Sequence, residues 1–202
     1  MDLELLTAFS LFALVSSITP GPNNLMLMAS GANFGVRRTV PHMLGIGIGF
    51  VIMVMLVGIG LVGVFDAYPL SYDVLRVVSI TYLVYLAWKI ATAAAPGTGV
   101  TEAGEATGKP FTFIQAALFQ WVNPKAWAMA LTAVTVYAPS RSFEAILWVA
   151  AVFGLINLPS VSCWTLLGRQ IQPLLSNVRR LQAFNFLMAG LLLATIVHAS
   201  FA

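Results

Sequence analysis

Long apolar runs separated by short polar segments make up most of this chain. A helix needs roughly 20 mostly apolar residues to cross a bilayer core about 30 Å thick. Six runs meet this requirement, at residues 3–32, 40–65, 72–91, 111–138, 145–168 and 181–201. The pattern therefore predicts an all-α membrane protein with six transmembrane helices.

The first and fourth runs each contain a polar interruption with prolines. The interruptions consist of Thr19, Pro20, Gly21, Pro22, Asn23 and Asn24, and of Gln120, Trp121, Val122, Asn123, Pro124 and Lys125. Proline breaks the helical hydrogen-bond ladder, and inside a membrane the freed backbone groups must be satisfied by protein, water or a ligand. Placing Pro20 over Pro124 gives an offset of 104 residues, about half of the 202-residue chain. Broken helices at matching positions of two halves point to a substrate site in the middle of a transporter.

Residues 96–110 contain no apolar run and are rich in Gly, Thr, Glu and Ala. This composition predicts a linker between two three-helix halves, 1–95 and 111–202, of a single membrane domain, 1–202. Because three spans is an odd number, the second half enters the membrane from the opposite side. We therefore expect two inverted three-helix repeats, with the first and fourth spans broken at the proline segments.

The composition excludes a soluble domain, because 59% of the residues are hydrophobic, 8% are charged and the mean hydropathy is +0.91. With both termini outside, seven Lys and Arg residues fall on the cytoplasmic side, namely Arg37, Arg38, Lys89, Lys109, Arg169, Arg179 and Arg180. Only Arg76 and Arg141 fall outside, and Lys125 is set aside as intramembrane. This positive-inside bias predicts that both termini lie outside and that the linker is cytoplasmic.

The chain offers few residues for other functions. Its net charge of +3 is distributed between the apolar runs, so no nucleic-acid partner is indicated. Cys163 is the only cysteine and His42 and His198 are the only histidines, too few for a disulfide, a metal cluster or a catalytic triad. We expect no catalytic residue, no metal and no cofactor, and hence no enzyme. Without an ATP-binding motif, transport would depend on a gradient or on a separate ATPase.

The helix that restarts after the first interruption is a candidate for anion binding. Its free N–H groups and positive dipole end near Asn23 suit a carboxylate or a phosphate. The alternative is a kink in which the side chains of Thr19, Asn23 and Asn24 satisfy the backbone. Asn157 and Gln120 are similarly ambiguous, because each either lines the pathway or serves the local structure.

Lys125 lies more than ten residues from either end of its run, too deep for its ammonium to reach water easily. An intramembrane charge costs at least about 2.5 kcal/mol and is usually functional, and no Asp or Glu lies in the middle of any run. Three roles are open: loss of the proton, hydrogen bonds to carbonyls freed by Pro124, or a water-filled cavity that binds an anionic group. The candidate substrate-binding residues are Thr19, Pro20, Gly21, Pro22, Asn23, Asn24, Gln120, Asn123, Pro124, Lys125 and Asn157.

The proline segments, with Gly35, Arg37 and the glycines of the second run, resemble the LysE/RhtB family of amino-acid exporters. The resemblance covers essentially the whole chain. It implies a multi-pass protein of the bacterial inner membrane, an antiporter that exports amino acids or derivatives and is driven by the proton motive force. The chain is most similar to the branch that handles cysteine and O-acetylserine, or small neutral amino acids such as homoserine and threonine.

The charge pattern also indicates a substrate class. An exporter of cationic amino acids would be expected to place an acid in the pathway, and the middle of each run contains none. A zwitterion with a small neutral side chain therefore fits better than lysine or arginine. Two alternatives stay open: an exporter of another small solute or cation, and a membrane assembly factor without transport activity. The identity of the amino acid, the coupling ion and a homo-oligomeric state are also left open.

Overall fold

The computed structural model describes residues 3–93, 109–138, 140, 142–175 and 177–201, except the side chains of 64 and 196–201. Within these ranges the protein is all-α, as expected. Its helices are α1 (Leu3–Ile18), α2 (Pro22–Leu56), α3 (Val62–Ala67), α4 (Leu70–Ala91), α5 (Phe113–Phe119), α6 (Pro124–Tyr137), α7 (Phe143–Ile171) and α8 (Val178–Phe201). A π-helical turn, Val57–Leu61, connects α2 to α3, and the 3-10 turns Gln120–Val122 and Gln172–Leu175 follow α5 and α7.

Both apolar runs with a proline segment are broken where the sequence predicts. α1 ends at Ile18 and α2 begins at Pro22, while the 3-10 turn after α5 ends at Val122 and α6 begins at Pro124. Proline suits the first position of a helix, because it has no N–H to leave unpaired and its φ is already helical. Pro22 and Pro124 both occupy this position and are structural counterparts. The structural offset is therefore 102 residues (124 minus 22), not the 104 that aligns Pro20 with Pro124.

Helix α2 consists of two arms, residues 22–34 and 36–56, joined at Gly35. Gly35 has φ 75° and ψ 169°, a conformation that glycine adopts readily and other residues avoid. The hydroxyl oxygens of Ser30 and Thr39 are 2.8 Å apart, whereas nine residues of continuous helix would separate them by about 13.5 Å. The chain therefore turns back on itself at Gly35, between the first two apolar runs of the sequence.

Helix α7 packs against α1 and against both arms of α2. Glycines make the closest contacts: a side chain at Gly31 would overlap the carbonyl oxygen of Thr165, and one at Gly168 would overlap that of Met28. The second arm of α2 approaches α5 in the same way at Gly45. Small residues at such crossings let helix backbones approach closely within a membrane.

Two hydrophobic clusters form the buried core. The first includes Leu25, Ile46, Leu86, Phe119 and Leu192, and the second includes Phe9, Phe50, Ala130, Val149 and Phe153. α1 contributes to the second cluster and the first arm of α2 to the first, whereas α5 contributes to the first and α6 to the second. The two broken segments therefore run in opposite directions between the clusters.

The surface of the bundle is that of a membrane protein. Three helical segments in the described part are long and apolar enough to cross a bilayer, Pro22–Leu61, Leu70–Ala91 and Phe143–Leu175. Large apolar side chains are exposed along α1, α4 and α7, among them Leu11, Val77, Trp88 and Leu155. Such extensive apolar exposure is unusual for a soluble monomer and suits contact with lipid.

The predicted linker, residues 96–110, falls almost entirely outside the described residues. Only Lys109 and Pro110 of it are described, and both are non-helical ahead of α5. The division of the chain into halves at this linker accordingly stays a prediction.

Candidate functional site

The two helix breaks lie against each other and are joined by a reciprocal amide pair. Asn23, in the first turn of α2, donates from Nδ2 to Gln120 Oε1 at 2.8 Å, and Gln120 donates from Nε2 to Asn23 Oδ1 at 3.2 Å. Gln120 is fully buried, and its Nε2 also donates to the carbonyl of Ala116 at 2.9 Å. Because buried polar groups require partners, this pair ties the start of α2 to the end of α5.

Lys125, in the first turn of α6, reaches across to the residues that follow α1. Its Nζ donates to the carbonyl of Thr19 at 2.7 Å, to the hydroxyl of Thr19 at 2.9 Å and to the carbonyl of Pro20 at 3.4 Å. An ammonium has three N–H donors, and oxygens of the chain accept all three. Of the roles considered for Lys125, this geometry corresponds to hydrogen bonding with carbonyls. The carbonyls belong to the first break, however, and not to the one that contains Pro124.

Gly21 makes room for the Lys125 side chain. A Cβ atom at Gly21 would lie 2.6 Å from Lys125 Cδ and 3.1 Å from its Nζ, closer than the neighbouring atoms allow. The backbone of Gly21 is extended, with φ −175° and ψ 177°, so glycine is required here for space and not for conformation. As the N-cap of α2, Gly21 also provides no side-chain acceptor for the first N–H groups of that helix.

Buried polar side chains surround the end of α1. Asn24 Nδ2 donates to the carbonyls of Ser17 at 2.8 Å and Thr19 at 2.7 Å, which ties α1 to α2. Asn157 of α7 donates from Nδ2 to Ser17 Oγ at 3.0 Å, but its Oδ1 is buried without a partner in the described part of the chain. A buried acceptor without a donor costs about 1–3 kcal/mol. Asn157 Oδ1 is therefore a candidate to accept a hydrogen bond from a ligand.

These side chains line a cavity of about 20 Å³, which we name the central site. Its lining residues are Ser16, Ser17, Gly21, Asn23, Asn24, Phe50, Asn123, Lys125, Ala126, Met129, Asn157 and Val161. Among the lining residues that the structure describes, Lys125 alone is charged. A cavity needs about 10–15 Å³ to hold one water molecule, so the central site is closed to anything as large as an amino acid. Binding a larger ligand requires the two breaks to move apart.

The residues predicted from the sequence fall into three groups. Six of them line the central site: Gly21, Asn23, Asn24, Asn123, Lys125 and Asn157. Pro22 and Pro124 begin helices. Gln120 is not a lining residue, but it is hydrogen-bonded to Asn23, which is. Thr19 and Pro20 are exposed and are not among the lining residues, but their oxygen atoms accept from Lys125. The alternative of a kink satisfied by side chains is realised in part, because the Asn24 amide binds two carbonyls at the first break.

Two contributors were missed from the sequence. Ser17 accepts from Asn157 at its hydroxyl and from Asn24 at its carbonyl. Its place just before the proline segment is a signal that could have identified it. Trp164 of α7 donates from Nε1 to the carbonyl of Ile18 at 3.1 Å. That contact joins residues 146 positions apart, and no local pattern around Trp164 indicates it.

The fold and the site define a helical membrane protein whose polar centre lies at two opposed helix breaks. Residues 14–198 match the family described as LysE type translocator. The chain is 31% identical, over 98% of each sequence, to the cysteine/O-acetylserine efflux proteins of Escherichia coli K12, E. coli O139:H28 and Shigella sonnei. No solved structure matches it. The chain therefore belongs to the LysE type translocator family, which confirms the resemblance seen in its sequence.

Proposed function

We propose that the protein exports small neutral amino acids or their derivatives across the bacterial inner membrane, with the central site as the substrate site. Candidate substrates are cysteine, O-acetylserine, homoserine and threonine. The observation that carries the proposal is Lys125, which connects the two breaks and provides the charge in the lining of the site. The efflux activity for which the relatives are named supports the same substrate class.

In the proposed mechanism a substrate carboxylate replaces the carbonyl oxygens on Lys125. In the arrangement that the structure shows, oxygen atoms of Thr19 and Pro20 accept the hydrogen bonds of the Lys125 ammonium. A carboxylate makes stronger, charge-assisted hydrogen bonds than a neutral carbonyl, and the positive N-terminal ends of α2 and α6 also favour it. Substrate binding then frees the segment after α1, so that recognition of the carboxylate is coupled to opening of the first break.

Asn157 is the proposed partner of the substrate ammonium. Its Oδ1 is buried without a hydrogen bond, in the same lining as Lys125. A lysine or arginine substrate would bring a second positive charge, and none of the described lining residues is a carboxylate that could receive it. An unpaired charge in a low-dielectric site costs several kcal/mol, which is a thousandfold or more in affinity at about 1.4 kcal/mol per decade. The site is therefore selective for neutral side chains.

The proposal includes six transmembrane spans in two inverted three-helix repeats, with both termini outside. The opposite directions of the two broken segments between the hydrophobic clusters support the inversion. The reversal at Gly35 supports dividing α2 between the first and second spans. The excess of Lys and Arg, seven against two, supports the orientation. Transport then follows from rocking of the two halves around the central site.

Export is driven, in this proposal, by the proton motive force through antiport. The chain contains no ATP-binding motif. The described residues of the central site include no carboxylate to carry a proton, so in this proposal the proton binds elsewhere. An inward proton gradient imposed on proteoliposomes is expected to accelerate export of the amino acid. An efflux rate that is independent of the gradient would contradict the coupling.

Alternative functions have less support. A metal-cation exporter needs oxygen or sulfur ligands that converge within the membrane. The structure places no group of three or more His, Cys, Asp or Glu together among the residues it describes, and Lys125 repels cations. Family membership favours a transporter over an enzyme or an assembly factor, because the matched relatives are efflux proteins.

Efflux from proteoliposomes loaded with a panel of amino acids tests the proposed function. We expect cysteine, O-acetylserine, homoserine and threonine to leave faster than from protein-free liposomes. Lysine, arginine and divalent metals should leave no faster than in that control. Equal rates for lysine and threonine, or transport of metal cations alone, would contradict the proposal.

Cysteine labelling tests the proposed topology. Cys163 is exposed and is first replaced by serine, so that each introduced cysteine reports on one position. We expect a membrane-impermeant reagent added outside to label the termini and positions within 66–73 and 139–142, but none within 96–109. Labelling of the termini and the linker from the same side would rule out the inverted repeat.

A further inference from the structure

A second cavity, of about 380 Å³, lies beside α2 near the Gly35 turn, and we name it the Phe111 cavity. It is bounded by both arms of α2, by the second half of α4 and by residues 109–111 ahead of α5. Its polar lining includes Ser30, Asn33, His42, Lys89 and Lys109. The volume falls within the range of small-molecule pockets, about 300–1,000 Å³. Unlike the central site, this cavity has room for an amino acid.

His42 is the lining residue whose hydrogen bonding is incomplete. Its side chain is 2% exposed, and neither Nδ1 nor Nε2 has a partner among the residues that the structure describes. The imidazole packs on the ring of Phe111, with centroids 5.1 Å apart. A neutral imidazole has one donor and one acceptor, and a buried polar group without a partner calls for an explanation. A phenyl ring would fill the same space without that cost, so the imidazole indicates a polar ligand.

The charges around the cavity indicate which ligand. Lys89 Nζ lies 5.2 Å from the centroid of the same Phe111 ring that His42 contacts. Lys109 adds a second ammonium to the lining, and no Asp or Glu is among the lining residues in the described part of the chain. Two ammonium groups and an imidazole N–H make strong hydrogen bonds to an anionic oxygen. A carboxylate is the amino-acid group that fits this surface.

One face of α2 connects the Phe111 cavity to the central site. Asn23 lines the central site, whereas Met26, Ser30 and Asn33 line the Phe111 cavity. Spacings of three, four and three residues place these four side chains on one side of the helix, over about 15 Å. A ligand that moves along this face from the cavity therefore meets the amide pair of Asn23 next.

We propose that the Phe111 cavity is a second binding site for amino acids, in which His42 and Lys89 hold the carboxylate before the substrate enters the central site. The identity of the ligand rests on the proposed function. Under the proposed topology the cavity lies toward the cytoplasm, where an exporter takes up its substrate. Ser30 and Asn33 form its wall, because their side chains are hydrogen-bonded to Thr39 and Asn185.

Equilibrium binding of radiolabelled threonine and cysteine to the purified full-length protein tests for this site. We expect Lys125→Met, which removes the charge of the central site, to retain saturable binding. The double variant Lys125→Met with His42→Phe should bind at least tenfold more weakly, although the new ring preserves the packing on Phe111. Unchanged affinity in the double variant, or no saturable binding to Lys125→Met, overturns the second site. If the unmodified protein binds neither amino acid, the proposed function fails as well.

A transport measurement covers the case in which His42→Phe does not fold. Lys89 is half-buried at the end of α4, so Lys89→Gln should insert normally. We expect it to raise the KM for the amino acid on the cytoplasmic side about tenfold with little change in the maximal rate. The matched control is Arg180→Gln, which removes an exposed cation outside the cavity and should leave KM unchanged. An unaltered KM in Lys89→Gln, with transport still abolished by Lys125→Met, overturns the cavity site and leaves the proposed function standing.

Discussion

The two helix breaks have similar proline sequences but contribute opposite chemistry. The first break contributes acceptors, because the oxygens of Thr19 and Pro20 point to Lys125, and Gly21 gives the next helix no cap. The second break contributes the cation. It also caps its own helix, since Asn123 Oδ1 accepts from the backbone N–H of Lys125 at 3.1 Å. The breaks therefore act as acceptor and donor for each other, and not as two copies of one anion site.

The difference also indicates which break moves. The second break is held by its own 3-10 turn and by the Asn123 cap. The first is held by its own Asn24 side chain and, from other segments, by the side chains of Lys125 and Trp164. A ligand that competes for Lys125 removes one of these restraints, so opening is expected at the first break.

Loss of the cation should have the largest effect. We expect Lys125→Met to lower the rate of export at least about a hundredfold, because charge-assisted hydrogen bonds of about 1.5–3 kcal/mol each are lost. Lys125→Arg should also be impaired, since a planar guanidinium does not replace a compact ammonium. Efflux is measured in proteoliposomes with matched protein content. Arg180→Gln is the control for charge, and normal export by Lys125→Met would remove the lysine from the mechanism.

Filling the space under the lysine should have the next largest effect. Gly21→Ala places a Cβ against Lys125 Cδ while the extended backbone accepts alanine without strain. The lysine must shift away from the oxygens of the first break, and we expect export to fall about tenfold, the size of a moderate overpacking penalty. The control is Gly63→Ala, because a Cβ at Gly63 meets no atom within 4 Å. Equal activity of the two variants would show that the close approach is unimportant.

A carboxylate in the central site should change selectivity. Asn157→Asp places a negative charge where the buried Oδ1 has no partner. We expect export of lysine to rise relative to threonine by about tenfold, because the added carboxylate offsets the second positive charge that only lysine brings, and one ion pair corresponds to roughly 1–2 kcal/mol. Competition efflux with both amino acids measures the ratio. Asn185→Asp is the control, as Asn185 is buried but lies outside the central site. The same ratio in both variants would show that a charge at position 157 does not act on the bound substrate.

The amide pair should show the smallest effect. We expect Asn23→Ala and Gln120→Ala each to lower the free energy of unfolding, and the double variant to lose about 1 kcal/mol less than their sum. Denaturant unfolding in mild detergent measures this coupling. Gln120→Ala combined with Asn185→Ala should be additive, because the partner of Asn185 is Asn33, ten residues further along α2. Additivity for Asn23 with Gln120 would show that the breaks are not connected through this pair.

The helices and their breaks could be predicted because both depend on local sequence. The apolar run at 72–91 corresponds to α4 at Leu70–Ala91, and the prolines mark where α2 and α6 begin. A reversal between the first two runs follows from their prediction as consecutive spans, but its position at Gly35 and its sharpness were not predicted. That turn depends on the positive φ of Gly35 and on Thr39, which donates to the carbonyl of Gly35 at 2.8 Å.

The sequence predicted many of the residues that line the central site but not the hydrogen bonds between them. Lys125 stood out because a lone intramembrane charge is costly. Its partner oxygens lie 106 and 105 positions away, and only the packing of α1 against α6 and α7 brings them together. In the sequence, His42 was considered only as one of two histidines, which are too few for a metal cluster. Its missing hydrogen bonds and its cavity become visible only when α4 and Phe111 are packed around it.

The central claim is that Lys125 exchanges the oxygens of the first break for a substrate carboxylate. It is tested most directly by comparing the binding of the best-exported amino acid with that of its amide, which lacks only the carboxylate charge. Both measurements use the His42→Phe variant, in which binding to the Phe111 cavity is weakened. With Lys125 unmodified, we expect this variant to bind the acid at least about tenfold more tightly than the amide. Lys125→Met in the same background should bind the two equally. Persistence of the full preference for the acid in Lys125→Met would contradict the account.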